Sequence, residues 1–115
     1  MNADTYRQVT QLFHLLSHPA RLHILDELRR DEACVCHLQA VLKRPQAYVS
    51  QQLRVLRDAG VVTDRKEGQL VYYRLNDPKV AQLLEIVLGS AGERTHPPDC
   101  PCPLCAGCDS NVPCE

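Results

Sequence analysis

From Gln46 to Leu75 the chain reads QAYVSQQLRVLRDAGVVTDRKEGQLVYYRL. Its first half places Val49, Leu53 and Leu56 on one side of a helix. Asp58-Ala59-Gly60 ends that helix, with Gly60 suited to a left-handed cap. In its second half, β-branched and aromatic residues flank a Glu67-Gly68 turn, which predicts a hairpin. Just upstream, Val35, Leu38, Val41 and Leu42 form the inward side of a short helix, which Lys43-Arg44-Pro45 interrupts.

Two helices joined by a tight turn, the second with a polar outer face, match a helix-turn-helix. A basic hairpin directly after it makes a winged helix. The fold class expected is therefore mainly α with a β-hairpin wing. Working outward, Val9, Leu12, Phe13, Leu15 and Leu16 give a first helix that Ser17-His18-Pro19 breaks. Ser17 or His18 can cap the next helix and Pro19 fits its first turn. Leu22, Leu25 and Leu28 make its apolar stripe. A last helix opens at Asn76-Asp77-Pro78, carries Val80, Leu83, Leu84, Val87 and Leu88, and ends in Gly89-Ser90-Ala91-Gly92. Residues 1–92 form the expected winged helix-turn-helix domain. Residues 93–115, rich in Pro and Cys, form a tail in which no regular structure is expected without a ligand.

The length of 115 residues suits one domain, and 44% hydrophobic residues suit a small core. A core this thin gains from self-association or a metal. No apolar run approaches the roughly 20 residues of a membrane span, and no signal-peptide pattern opens the chain. A cytoplasmic protein is expected. The seven cysteines then favour metal or redox chemistry over disulfides. The net charge of -1 hides an uneven distribution. From Lys43 to Arg74 there are seven Lys or Arg against three Asp or Glu, so the middle of the chain can present a basic face.

The polar face of the fourth helix carries Gln46, Ala47, Ser50, Gln51 and Arg54. Gln pairs with adenine edges, Ala meets a thymine methyl, and Ser bonds bases or phosphates. Arg54, Arg57, Lys43 and Arg44 are placed for phosphate or base contacts, and Arg65 and Lys66 near the wing tip for a phosphate strand or the minor groove. Read singly, each is an ordinary solvated side chain. Their order and charge together point to double-stranded operator DNA.

The text Ser17-His18-Pro19-Ala20-Arg21-Leu22, Ala33-Cys34-Val35-Cys36-His37-Leu38, Val49 to Val62 and Arg65 to Leu75 resembles the ArsR/SmtB family of metal-responsive repressors. The likeness spans about Leu12 to Leu88. It implies a winged-helix homodimer whose first and last helices pack across the two-fold, and which metal releases from a palindromic operator. Gln46, Ala47, Ser50 and Gln51 fall at the family's recognition-helix positions. The chain departs from the family twice. The arsenite-sensing pattern adds a third Cys where this chain has Gln39. The family's last-helix site would fall on Asp77, Lys79, Ser90 and Glu93, and Lys79 and Ser90 are not imidazoles.

Cys34 and Cys36 are two residues apart, which on a regular helix is a rotation of about 200°. Both thiolates reach one ion, with bonds near 2.3 Å, only if that turn is distorted. Chelation and DNA docking then compete for one piece of backbone. Arsenite takes about three sulfurs, and Cd(II), Pb(II) or Zn(II) three or four. Cys100, Cys102, Cys105 and Cys108 offer the missing ligands, from the same subunit, its partner, or a separate site; Cys114 is the weakest candidate. His37 and His96 are accessory candidates, while His14, His18 and His23 suit packing or capping. Without a ligand, Cys34 and Cys36 would be small buried hydrophobes. Two other functions fit the residues: a thiol redox or persulfide sensor on the same fold, and a Zn-binding interaction or metal-carrier protein. No Ser-His-Asp arrangement, phosphate loop or carboxylate pair suggests an enzyme.

Overall fold

The computed structural model describes residues 2–92. Five helices and three strands follow in the order α1 (Ala3–Leu16), α2 (Pro19–Leu28), β1 (Ala33–Cys34), α3 (Val35–Leu42), α4 (Gln46–Asp58), β2 (Val62–Glu67), β3 (Leu70–Leu75) and α5 (Pro78–Leu88). Helices α3 and α4 are the expected helix-turn-helix, and β2–β3 the expected wing.

Local chemistry sets most boundaries. Asn2 caps α1, its side chain accepting from the Thr5 N–H at 2.9 Å. Asp77 caps α5 in the same way through Lys79 N–H, ahead of Pro78 in the first turn. Gly60 follows α4 at φ 81°, the left-handed geometry expected of it. His18 holds the N-cap position of α2 but makes no side-chain capping bond, so the expected cap is positional only. In the wing, Glu67 pairs with Leu70 around a two-residue loop. Gly68 alone takes positive φ there, at 62°. A positive φ at the first loop residue is the mark of a type II′ turn, whose twist matches the strands.

The sheet has a third strand that sequence reading missed. Its order is β1-β3-β2, with Ala33 opposite Tyr73 and Cys34 opposite Tyr72. Two residues are too few to show an alternating pattern. The core gathers Leu16, Ile24, Leu25, Leu28, Leu38, Val49, Leu53, Leu56, Val61, Val62, Val80 and Leu84 from all five helices and the start of the wing. Burial on this scale holds α4 as a rigid rod over α2 and α3. The apolar stripes of α1 and α5 are only half used. Phe13 is 55% exposed, Ile86 80% and Val87 75%.

Candidate functional site

The outward face of α4 stands clear of the core. Val49, Gln52, Leu53 and Leu56 are buried, while Gln46, Ala47, Gln51 and Arg54 are exposed and Ser50 is half-buried. Pro45 precedes the helix and no side chain caps it. Its first backbone N–H groups therefore lie uncapped beside exposed Lys43 and Arg44, a combination suited to a phosphate. Lys43 makes the turn between the two helices in the left-handed region, φ 56°. For a residue with a Cβ that conformation costs about 1–2 kcal/mol. Arg44 lies over the Tyr48 ring, 5.0 Å from its centroid.

Sequence reading had no signal for what orients α4. Arg21 donates from Nε to Gln52 Oε1 at 2.9 Å and from Nη1 to the Leu15 carbonyl at 3.2 Å. One guanidinium thus ties the end of α1, the start of α2 and the buried side of α4 together. Arg21 and Gln52 both lie within quoted motifs, but their pairing spans 31 positions.

The wing is basic in composition but not in availability. Arg65 donates from Nε to Glu32 Oε2 at 2.9 Å and from Nη1 to Glu67 Oε2 at 2.7 Å, and its guanidinium covers the Tyr72 ring at 4.7 Å. These carboxylates, Glu32 foremost, hold Arg65 protonated far above its ordinary pKa. Arg57 is likewise engaged, with Asp64 of β2 at 3.1 Å. Lys66, exposed beside Arg65, makes no ion pair among the described residues. The Tyr73 hydroxyl is pushed above its ordinary pKa of 10.0, by burial first and by Asp64 second.

The two described thiols do not share a helical turn as expected. Cys34 lies in β1 and is the N-cap of α3, with extended backbone at φ -83°, ψ 166°. Only Cys36 is inside the helix. The 200° helical separation therefore does not apply, because the helix begins between them. The Cys34 sulfur accepts from the His37 N–H at 3.4 Å, the capping position normally held by an oxygen. Cys34 is buried against Tyr72, with half-buried Cys36, Ala40 and Leu70 packed around the pair.

His37, an accessory ligand candidate, is fully buried, and its Nε2 lies 2.9 Å from Glu27 Oε1. Arg30 meets the other Glu27 oxygen at 3.0 Å. Arg29 and Arg30 then reach the Gly89 and Ala91 carbonyls at 2.7 Å and 2.5 Å, tying the end of α5 to the end of α2. This network fixes α3 against α2.

Among the described residues no group of three or more His, Cys, Asp or Glu could hold a metal ion. Cys34 and Cys36 are two sulfurs, where a soft ion takes three or four. Cys100, Cys102, Cys105 and Cys108, and the accessory candidate His96, lie outside the described residues. On the alternative last-helix site, Asp77 is occupied as the α5 cap. No helix among the described residues is long and apolar enough to cross a membrane.

A family model described as "Bacterial regulatory protein, arsR family" matches residues 18–64. The chain is 41% identical over 83 residues to a transcriptional repressor SmtB homolog of Synechocystis sp., covering 72% of this chain and 63% of that protein. It is 40% identical over 78 residues to a cadmium resistance transcriptional regulatory protein CadC homolog of Staphylococcus aureus, covering 67% of this chain and 64% of that one. The match thus spans less than two thirds of either relative's length. Among solved structures, reduced HlyU from Vibrio cholerae aligns with TM-score 0.69 and 30% identity over 76% of this chain and 95% of that one. These relatives are regulators of transcription, not enzymes.

Proposed function

The chain belongs to the ArsR family of bacterial regulatory proteins, and from that premise we propose that it is a cytoplasmic repressor. It binds palindromic operator DNA as a homodimer and lets go when its thiolates capture arsenite or a soft ion such as Cd(II), Pb(II) or Zn(II). Residues 1–92 bind DNA and dimerise, and residues 93–115 are the Cys-rich tail.

The observation that carries the DNA half is the division of α4 into a buried apolar side and an exposed side of Gln46, Ala47, Gln51 and Arg54. The helix enters the major groove, Lys43 and Arg44 take phosphates at its start, and Lys66 follows the backbone at the wing. The exposed apolar residues Phe13, Ile86 and Val87 support pairing of α1 and α5 between two copies. The likeness to a cadmium resistance regulator supports a soft-metal inducer.

The sensing half rests on Cys34. Its sulfur caps the helix that leads into α4. A ligand that draws the sulfur out of this position breaks its backbone bond and weakens the start of α3, at a cost of up to about 1 kcal/mol. Coupling free energies of about 1–3 kcal/mol suffice to change operator occupancy several-fold. Cys36 supplies a second sulfur, and Cys100, Cys102, Cys105 and Cys108 complete the set.

The test is a gel-shift titration of operator complexes with arsenite, Cd(II), Pb(II) and Zn(II) under strict reduction. It compares the full chain with one carrying Ser at Cys100, Cys102, Cys105 and Cys108. Release of the full chain at lower inducer than the tail variant is expected. Equal release shows that the tail thiols do not complete the site. No release by any of the four removes the metal reading. Release by polysulfide or peroxide instead would support the second reading, a thiol redox or persulfide sensor, for which half-exposed Cys36 gives a reachable thiol.

A further inference from the structure

We propose that Glu32 and Tyr72 are positioning residues that tie the wing's Arg65 to the Cys34 thiol, so that uncovering the thiol and releasing the wing are one event.

The sheet register makes the case. Cys34 is the partner of Tyr72, and Tyr72 is the partner of Arg65. Direct partners on adjacent strands project to the same face. Cys34, Tyr72 and Arg65 therefore form one row across β1, β3 and β2, with the tyrosine in the middle. Each join in the row is a physical contact. Cys34 and Tyr72 are buried together, at 1% and 4% exposure. The Arg65 guanidinium lies on the Tyr72 ring at 4.7 Å, an attraction between cation and ring face.

Glu32 closes the row from the other end. It stands two positions before Cys34, so its side chain falls on the same face. Its carboxylate spans the middle strand to meet Arg65 Nε at 2.9 Å. The chain segment that carries the thiol is thus joined to the outer wing strand twice, through the ring and through the ion pair. Glu67 holds the same guanidinium at 2.7 Å from the wing's own turn.

Two consequences follow. A ligand that draws the Cys34 sulfur out of its contact with Tyr72 displaces the surface on which Arg65 rests. Conversely, a DNA phosphate that draws Arg65 away loosens the cover over Cys34. Linkage makes the two effects equal in free energy. Both effects have the same sign: a ligand on the thiol frees Arg65 for a phosphate, so the tie tempers operator release, and release itself is carried by loss of the Cys34 cap of α3. The biological use of the tie rests on Cys34 being the sensor thiol; its existence does not.

The test is iodoacetamide labelling of the reduced, metal-free full chain, read at each cysteine by peptide mass spectrometry. Wild type is compared with Glu32→Gln, Tyr72→Leu and Tyr72→Phe. Cys34 is expected to label on the order of fivefold faster or more in Glu32→Gln and Tyr72→Leu, with Cys36 changed less. Tyr72→Phe keeps the ring and is expected to label Cys34 close to the wild-type rate. Glu32→Gln leaves the core intact, so it keeps the test decisive even if Tyr72→Leu fails to fold. Equal Cys34 rates in wild type and Glu32→Gln overturn the tie. Operator release by arsenite, Cd(II), Pb(II) and Zn(II) is measured alongside. Faster Cys34 labelling with no release by any of the four supports the tie and sinks the metal-sensor reading. Unchanged labelling with normal release overturns the tie and leaves the sensor standing.

Discussion

Helix α4 and the wing are both basic and both exposed, yet they hold their charges in opposite ways. Arg54 of α4 makes no ion pair among the described residues. Arg65 of β2 is shared between two carboxylates and a ring. A phosphate that binds Arg65 must replace those partners, so its net gain is small. The helix is also locked to the core along its whole inner side, whereas β2 is buried only at its start. Charge count alone would rank the two regions as equals. Availability and anchoring separate them.

The largest effect tests the anchoring. Leu53→Ala empties a fully buried position of α4 and is expected to cost about 2–5 kcal/mol in urea unfolding. Gln69→Ala at the wing tip is expected to stay within about 0.5 kcal/mol. Similar losses at both positions would erase the distinction between a rigid reader and a lightly held wing.

Next comes the reading face. Arg54→Ala is expected to weaken operator binding by about 1–3 kcal/mol if the side chain reads a base edge. Fluorescence anisotropy against the operator and a scrambled duplex measures it. A uniform loss on both duplexes would make Arg54 a phosphate contact instead.

The salt dependence of binding sharpens the contrast inside the wing. Lys66→Gln removes an uncommitted charge and is expected to lower the slope of log K against log salt by about 0.9. Arg65→Gln is expected to lower it by much less, because that charge is already neutralised by Glu32 and Glu67. Equal changes would mean that DNA strips Arg65 from its partners.

Most of the fold was legible because it rests on repeated patterns. Val49, Leu53 and Leu56 mark α4 at helical spacing, and Gly60 and Gly68 mark two turns of positive φ. The third strand was not legible. Ala33-Cys34 is too short for a pattern and pairs with residues nearly 40 positions away. That omission hid the cysteine geometry, since it placed Cys34 inside a helix that in fact starts after it. Gln46, Ala47, Gln51 and Arg54 were legible as a set on one exposed face of α4. Which of the charges were already spent was not, because Arg65–Glu32 and Arg57–Asp64 are contacts between elements. His37, read from the sequence as an accessory candidate and more readily a bystander to the cysteines, is buried against Glu27 ten positions away.

The smallest effect lies at high pH. Tyr73 keeps its proton in the folded chain after the unfolded chain has lost it, because its folded pKa is raised above 10.0. Its contribution to stability is full below that value and falls as pH rises toward the folded pKa. Tyr73→Phe is expected to flatten the alkaline arm of the stability profile and leave the neutral region unchanged, as followed by thermal melts across pH.

The most direct measurement is operator anisotropy during a Cd(II) titration under strict reduction, with wild type, Cys34→Ser and Cys36→Ser. Serine keeps a capping oxygen at position 34, so operator affinity before metal is expected to match wild type. Cd(II) is expected to release wild type and leave both variants bound. Normal release of the Cys34→Ser complex would contradict the placement of the sensor at the start of α3.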